Sequence, residues 1–594
     1  MFLVFVSKFL ELQYLRNEDS SGKRGEQAEF GDADDLDLCL YYLRTLSNVF
    51  RWAPDSIWAV LASRPVSPDT HPALPSLSKF TIRPGLCPTN TKIAGTDEDV
   101  NFQDFFLQIC LRCVAYYKVP ADDQLKIRST QLVRYALTVL HQILLNPHAE
   151  ILSKFHLEDI LIERLGQSLQ GEDPYIQVLL LDVVFASLKL RDTIPAEEPP
   201  SPMNEKRAPT VDPNKSLRLS LTSERAPRMP PPPASLLKCL QAGLSSPSSR
   251  PVLDSWISFL TECLPFYTDS IFQVLIPLVE TLCSQISSSF SSLQKMFKED
   301  LCHSGDKLNA PESTLISLLN GLEHVLARSH DALLVEEARA QVVKSPDQQQ
   351  SFFGNMVSGV FSSDAPQSRS ATANDRLTVL LAFQDAVRIC FTIWSWGQGS
   401  DRAAQDSNSA ASFSYTSLRM RNRARRLLEH LFAAETLECL ETVIGIWQTS
   451  LTDPDTSKHA QVFNLLPALD GSRPKHTIPA IFNAIYSRTN PSALEISRKS
   501  TLTNSLQDTD IVIFLVDYAQ SLEDDAMDEI WQDCVTFLRD LLGNPFPHRQ
   551  TLPSLLEFAA ILGEKVDNTN FGEQRKMRRE LGVCFSIIFY SFMS

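Results

Sequence analysis

Glycine is scarce in this chain, with 20 residues in 594. That argues against an architecture of Gly-rich hairpins and barrels. Long apolar runs are missing too. No stretch reaches the roughly 18–20 apolar residues that span a bilayer. The nearest are IVIFLV (511–516) and VCFSIIFY (583–590), so membrane contact is expected to be peripheral. Excess positive charge is also lacking: the formal net charge is -16. An acidic chain is a poor general binder of nucleic acid, whose phosphates need concentrated Lys and Arg.

The catalytic motifs are equally sparse. There is no GxxxxGKS/T phosphate loop, no GxGxxG after a strand, no HExxH helix and no GxSxG elbow. Each absence removes one common enzyme class. Cys110 and Cys113 form a lone CxxC without the second ligand pair that zinc needs, and two core cysteines on one helix face is the better reading. Cys302-His303 lacks a third ligand. The acidic clusters Asp32-Ala33-Asp34-Asp35 and Glu523-Asp524-Asp525 lack the calcium-loop pattern and read as helix starts or solvated surface. No catalytic residue, cofactor, metal or small-molecule substrate is expected.

The 12 cysteines are spread thinly through apolar helical patterns, as at Cys39, Cys283 and Cys439. That fits reduced, buried thiols rather than a disulfide framework. The glycosylation sequon at Asn214 lies in a linker and reads as chance. The N-terminal run MFLVFVSKFLELQYL lacks a basic leader and is broken by Lys8, which does not match a signal peptide.

What is present is helical periodicity. In 311–326, Leu315, Leu318, Leu319, Leu322, Val325 and Leu326 form one apolar stripe. In 173–190, Asp173 is placed to cap and Pro174 to start a helix apolar nearly all round. Further helices are expected at about 36–50, 101–117, 123–145, 252–262, 267–284, 374–396, 418–432, 434–449, 523–542 and 551–562, with Gly543 and Gly563 as left-handed C-terminal caps. IVIFLVDY (511–518) looks like a strand, but without partner strands it reads as helix.

Composition divides the chain as follows. Residues 1–35 are expected to be poorly ordered, and 36–190 form a first helical-repeat block with a loop at 63–98. Residues 191–233 are a disordered Pro-rich linker, and 234–340 form a second block. Residues 341–373 are a linker with an amphipathic segment at 351–363, and 374–594 form a third block with a loop at 397–415. Successive helices with short loops predict an all-α fold, an α-solenoid of degenerate HEAT- or armadillo-like repeats, or else irregular helical bundles.

Three segments could touch a membrane or partner. Two are basic: Arg419, Arg421, Arg423, Arg425 and Arg426 in LRMRNRARRL, and Arg575, Lys576, Arg578 and Arg579 in EQRKMRRE. Such clusters attract anionic lipid at about 1 kcal/mol per residue, or else form a solvent face paired to nearby Glu. The third is SFFGNMVSGVFSS (351–363). As a helix it aligns Phe352, Phe353, Met356, Val357, Val360 and Phe361 opposite a nearly uncharged Gly, Asn and Ser face. Three readings fit: a lipid-packing sensor, docking back onto the repeats, or insertion into a partner's groove.

Several stretches taken in order resemble the Dopey family, in its filamentous-fungal form. They are 43–65, 235–283, SFFGNMVSGVF (351–361), DRLTVLLAFQDAVRICFTIWSWG (375–397) and 555–581. The resemblance implies a peripheral scaffold of Golgi and endosome membranes. Such a scaffold acts with an Arf-exchange-factor-like scaffold and a phospholipid-flipping ATPase in endosome-to-Golgi recycling. It also implies effects on fungal cell morphogenesis and development. Family members are far longer and begin with a helical domain not seen here, so the chain is expected to be an internal portion or a truncated gene model. Two other readings remain open at this point: an unrelated helical-repeat adaptor or tether, and an enzyme with an unrecognised site.

Overall fold

The computed structural model describes residues 1–12, 33–66, 101–115, 123–171, 173–191, 231–298, 311–342, 366–398, 407–451, 457–495, 498–543, 546–568 and 574–593. Among them the chain forms helices and no named strand. One isolated bridge joins Pro65 and Asn101. The chain divides into two compact units, Met1–Asp269 and Ser270–Ser594.

The first unit contains α1 (Phe2–Glu11), α2 (Ala33–Arg51), α3 (Asp55–Ser63), α4 (Phe102–Ala115), α5 (Asp123–Leu145), α6 (Leu157–Ser168), α7 (Pro174–Arg191), α8 (Ala234–Ser245) and α9 (Leu253–Cys263). Helix α5 packs on α2, α4 and α7, α6 on α7 and α8, and α9 on α7 and α8. A helix that buries one stripe against its neighbour and another against the next but one repeats the two-layer ladder of an α-solenoid. Asp173 caps α7 as its position predicts: its side chain accepts the Tyr175 N–H at 3.0 Å and pairs with Arg134 at 2.7 Å.

The second unit contains α10 (Ile271–Lys298), α11 (Pro311–Val342), α12 (Pro366–Trp394), α13 (Ser407–Ala434), α14 (Thr436–Leu451), α15 (Ser457–Ala468), α16 (Pro474–Thr489), α17 (Asp508–Ser521), α18 (Met527–Gly543), α19 (Leu552–Asn568) and α20 (Gln574–Met593). The same ladder runs through it: α12 packs on α10, α11, α13 and α14, α16 on α14, α17 and α18, and α19 on α17, α18 and α20. The fold class is all-α, of the α-solenoid type. The expected stripe of α11, from Leu315 to Leu326, is buried at all six positions. The segment IVIFLVDY lies in α17, where Gln507 and Asp510 form a reciprocal capping box.

Several expectations are corrected. Residues 1–35 include α1, whose Val6 and Phe9 are buried and whose Phe2 joins a ring cluster with Phe50, Phe102 and Phe106. The polar stretches do not set the unit boundary. Beyond 191–233, α8 and α9 pack on α6 and α7; beyond 341–373, α12 packs on α10 and α11. Helix α12 starts at Pro366, inside the expected linker, and α13 at Ser407, inside the expected loop 397–415. Packing just beyond a polar first turn explains the second case: Phe413, in the second turn, lies edge-on to Trp396 at 5.2 Å and to Phe297 at 5.5 Å. The turn before it needs Gly397, at φ 78.

Neither glycine cap holds. Gly543 and Gly563 have no left-handed backbone, and Gly563 is interior to α19, where it admits the Leu581 side chain of α20. Close helix approach, not chain reversal, is its role.

Helices α10 and α12 are long and apolar enough, by length and mean hydropathy alone, to cross a membrane, although neither contains an unbroken apolar run of that length. Their patterning is that of packed amphipathic helices. In α10, Ile286, Phe290 and Leu293 are buried while Ser284, Ser287, Ser288, Ser291 and Ser292 face solvent.

Candidate interaction surfaces

The basic stretch 418–427 lies on α13, and the structure separates its members. Arg419 reaches Glu312 of α11 at 3.4 Å. Arg423 pairs with Glu323 of α11 and donates to Asn320 Oδ1 at 2.9 Å. Arg425 pairs with Glu429 at 3.1 Å and donates to the Ala468 carbonyl at 3.2 Å. Arg426 is exposed. Arg421 is half-buried, and its Cζ lies 5.9 Å from the centre of the Trp394 ring. Much of this positive charge therefore ties α13 to its neighbours and does not form an open basic face.

The second stretch lies at the start of α20. Arg575, Lys576, Arg578 and Arg579 are all exposed, and Arg578 pairs with Asp567 at 2.5 Å. Residues 351–363, with Phe352, Phe353, Met356, Val357, Val360 and Phe361, lie outside the described residues, as does Cys302-His303.

Two cavities stand out. One, of about 510 Å³, opens between α5, α6 and α7 and is lined by Arg164, Gln167, Ser168, Asp173 and Ile176. Its polar groups are committed locally. Arg164 donates to Gln167 at 2.6 Å, Ser168 to the Leu165 carbonyl at 2.6 Å, and Asp173 accepts from Arg134. The other, of about 600 Å³, lies beside α13 and is lined by Trp394, Gln398, Leu418, Arg421, Asn422 and Arg425. Neither lining sets a nucleophile beside a base.

Two buried carboxylates of the second unit are satisfied internally. Glu441, fully buried, takes both terminal nitrogens of Arg488 at 2.9 and 3.0 Å. Glu438 accepts from Gln384 at 2.5 Å and from the Thr501 and Thr503 hydroxyls at 2.9 and 2.5 Å. These contacts fasten the irregular segment before α17 to α14 and α16. Sequence reasoning did not find them, because each joins residues 47 or more apart.

Cys110 and Cys113 are both buried on α4, and burial, with Cys113 nearby, pushes the Cys110 thiol well above its ordinary pKa. Among the described residues no three His, Cys, Asp or Glu side chains gather as a metal site. A buried thiol held protonated is a poor nucleophile. Brief alkylation of the native chain with iodoacetamide near pH 8, read by peptide mass spectrometry, is expected to leave Cys110 and Cys113 unmodified until denaturant is added. Modification of either at the rate of a free thiol would refute the buried packing.

Comparison with known proteins identifies relatives of this chain. A family profile described as the DOP1 TPR domain matches residues 133–329, and one described as DOP1 C-terminal matches 514–594. The chain is 47% identical over 564 residues to Protein dop1 of Emericella nidulans, covering 92% of this chain and 29% of that protein. It is 28% identical over 361 residues to Protein DOP1 of Saccharomyces cerevisiae, covering 58% of this chain and 20% of that one. The chain thus spans less than a third of the length of these relatives. Among solved structures, a circular tandem repeat protein aligns over 94% of this chain and 96% of its own at 10% identity and TM-score 0.26. The karyopherin Kap121p aligns over 93% of this chain and 53% of its own at 12% identity and TM-score 0.18. The repeat label carried by the matching profile is tetratricopeptide, where the sequence suggested HEAT or armadillo; both are helical repeats. The two profile matches and the relatives agree on one assignment: the chain belongs to the Dopey (DOP1) family.

Proposed function

We propose that this chain is a non-enzymatic scaffold, peripheral on Golgi and endosome membranes. It would work in vesicle and protein traffic between endosomes and Golgi, with an Arf-exchange-factor-like scaffold and a phospholipid-flipping ATPase as partners. The observation that supports this most is the helical ladder itself. Its buried polar groups are largely spent on holding helices together, and its cavities offer no catalytic pairing, which suits a surface built to carry other proteins. Neither matching family profile describes an enzyme class.

For direct lipid contact, 351–363 is the first candidate. Of the basic residues, Arg575 and Arg579 at the start of α20 are exposed, whereas Arg419, Arg423 and Arg425 are tied to carboxylates. The test is flotation of the purified chain with liposomes of varied curvature and anionic charge. Wild type is expected to favour small liposomes, and changing Phe352, Phe353 and Phe361 to Ser is expected to cut partitioning by about tenfold or more, since each ring loses its apolar burial. Binding that survives those changes but falls with salt would move the contact to the Arg clusters. Absence of binding under every condition would remove direct lipid contact by this portion, and co-purification with the Arf-exchange-like partner then decides the scaffold reading.

A further inference from the structure

On α13, three of the five arginines of one stretch are matched to carboxylates, Arg419 to Glu312, Arg423 to Glu323 and Arg425 to Glu429, and a fourth, Arg426, is exposed to solvent. Arg421 lies among them without such a match. Among the described residues it makes no ion pair. Its Nε is shielded from solvent and bonds to nothing. Burial alone lowers its pKa from the ordinary guanidinium value, with no carboxylate close enough to raise it again. Its guanidinium lies over the face of Trp394.

A half-buried cation without a counter-charge is a costly arrangement. Here it borders a cavity of about 600 Å³. Gln398, Asn422 and Asn464 line the same space; Asn422 and Asn464 carry further amide N–H donors, while the Gln398 amide donates to the Trp394 carbonyl at 3.4 Å. Trp394 and the half-exposed Leu418 give it an apolar wall. Charge decides between anions. Arg425 is already offset by Glu429, so the lining carries one net positive charge, which matches a carboxylate better than a doubly charged phosphomonoester. The planar guanidinium fork also matches a carboxylate's geometry.

We propose that the cavity beside α13 is a docking site for an acidic side chain of a partner protein, a Glu or Asp flanked by an apolar residue, with Arg421 as its counter-charge. This builds on the scaffold reading and is independent of liposome binding, so the two can fail separately. The carboxylate enters between Arg421 and the amides while the adjacent apolar residue covers Leu418 and Trp394. The arginine's uncompensated charge is then a feature kept for binding at some expense to stability.

The test uses the full chain and a fluorescein-labelled peptide of alternating Glu and Leu, followed by anisotropy. Its counterpart carries Gln at every Glu. Wild type is expected to prefer the Glu peptide by about tenfold or more. Arg421→Gln is expected to abolish that preference while melting at the same temperature as wild type or higher. Arg426→Gln, on the exposed side of the same helix, is expected to bind as wild type. Leu418→Glu, which places a carboxylate one turn before Arg421, is expected to raise the melting temperature and to block the peptide.

Equal binding of the two peptides, or no binding of either, would overturn the proposal. So would a lowered melting temperature in both Arg421→Gln and Leu418→Glu, because Arg421 would then be a packing element. If inorganic phosphate or anionic vesicles bind in an Arg421-dependent way while the Glu peptide does not, the pocket takes a phosphoryl group and the peptide assignment is wrong.

Discussion

Arg488→Ala is expected to lower the unfolding free energy of the second unit by about 3–5 kcal/mol. Glu441 has no exposed side-chain area, and Arg488 is 9% exposed. Both terminal nitrogens of the arginine bond the carboxylate, its Nε donates to the Leu506 carbonyl at 2.9 Å, and Nη1 also reaches the Ala484 carbonyl at 3.0 Å. Truncation leaves a buried carboxylate without a counter-charge and frees the segment around Leu506. Urea denaturation followed by circular dichroism reads the first effect. Hydrogen exchange at Ser500–Leu506 reads the second, since that segment is held by side chains rather than by a helix. The double variant Glu441→Leu with Arg488→Met is expected to recover most of the loss, because two apolar groups of similar volume do not carry the desolvation cost of an orphaned charge. If Arg488→Ala unfolds within about 0.5 kcal/mol of wild type, the pair does not fasten α14 to α16.

The second large effect lies in the first unit. A Cβ at Gly243 of α8 would overlap the six-membered ring of Trp256 on α9. The indole cannot easily move away. It is fully buried, its Nε1 donates to Gln177 Oε1 at 3.0 Å, and Phe259 lies edge-on at 6.3 Å. Gln177 is in turn bonded to Ser248, which bonds the Leu169 carbonyl at 2.7 Å, so α7, α9 and the turn after α6 share one network. Gly243→Ala is therefore expected to cost about 3 kcal/mol, at the upper end of ordinary overpacking. Trp256→Ala is expected to cost about 3–5 kcal/mol through the cavity, in addition to the unpaired Gln177. The two should not add: in a Trp256→Ala background the extra methyl at Gly243 has room, so the double variant should be no worse than Trp256→Ala alone. Strict additivity of the two losses would show that the ring and the glycine do not meet.

Local chemistry made much of the fold legible. The Leu315–Leu326 stripe is buried as its 3.6-residue spacing requires, Asp173 caps α7, and the IVIFLV run sits in a helix because no strand partner exists for it among the described residues. The family, too, was readable from ordered stretches such as 375–397, and the relatives bear it out. Such features are properties of a few neighbouring residues, and the chain carries them wherever it goes.

The tertiary structure alone decided the rest. Polar composition at 191–233 and 341–373 suggested block boundaries, yet α8 packs on α6 and α12 on α10, and the division falls at Asp269. Composition records what a segment cannot bury, not which helices beyond it meet. Gly563 looked like a helix stop and is instead the place where α19 and α20 come close. The arginines of α13 looked like one basic face, and the positions of Glu312 and Glu323, about a hundred residues earlier in the chain, help divide them into paired residues, the exposed Arg426 and the half-buried Arg421, which has no carboxylate partner among the described residues. A helix and its caps follow from local spacing, but which charge finds a partner depends on helices that adjoin only after folding, and one sequence without its contacts does not contain that information.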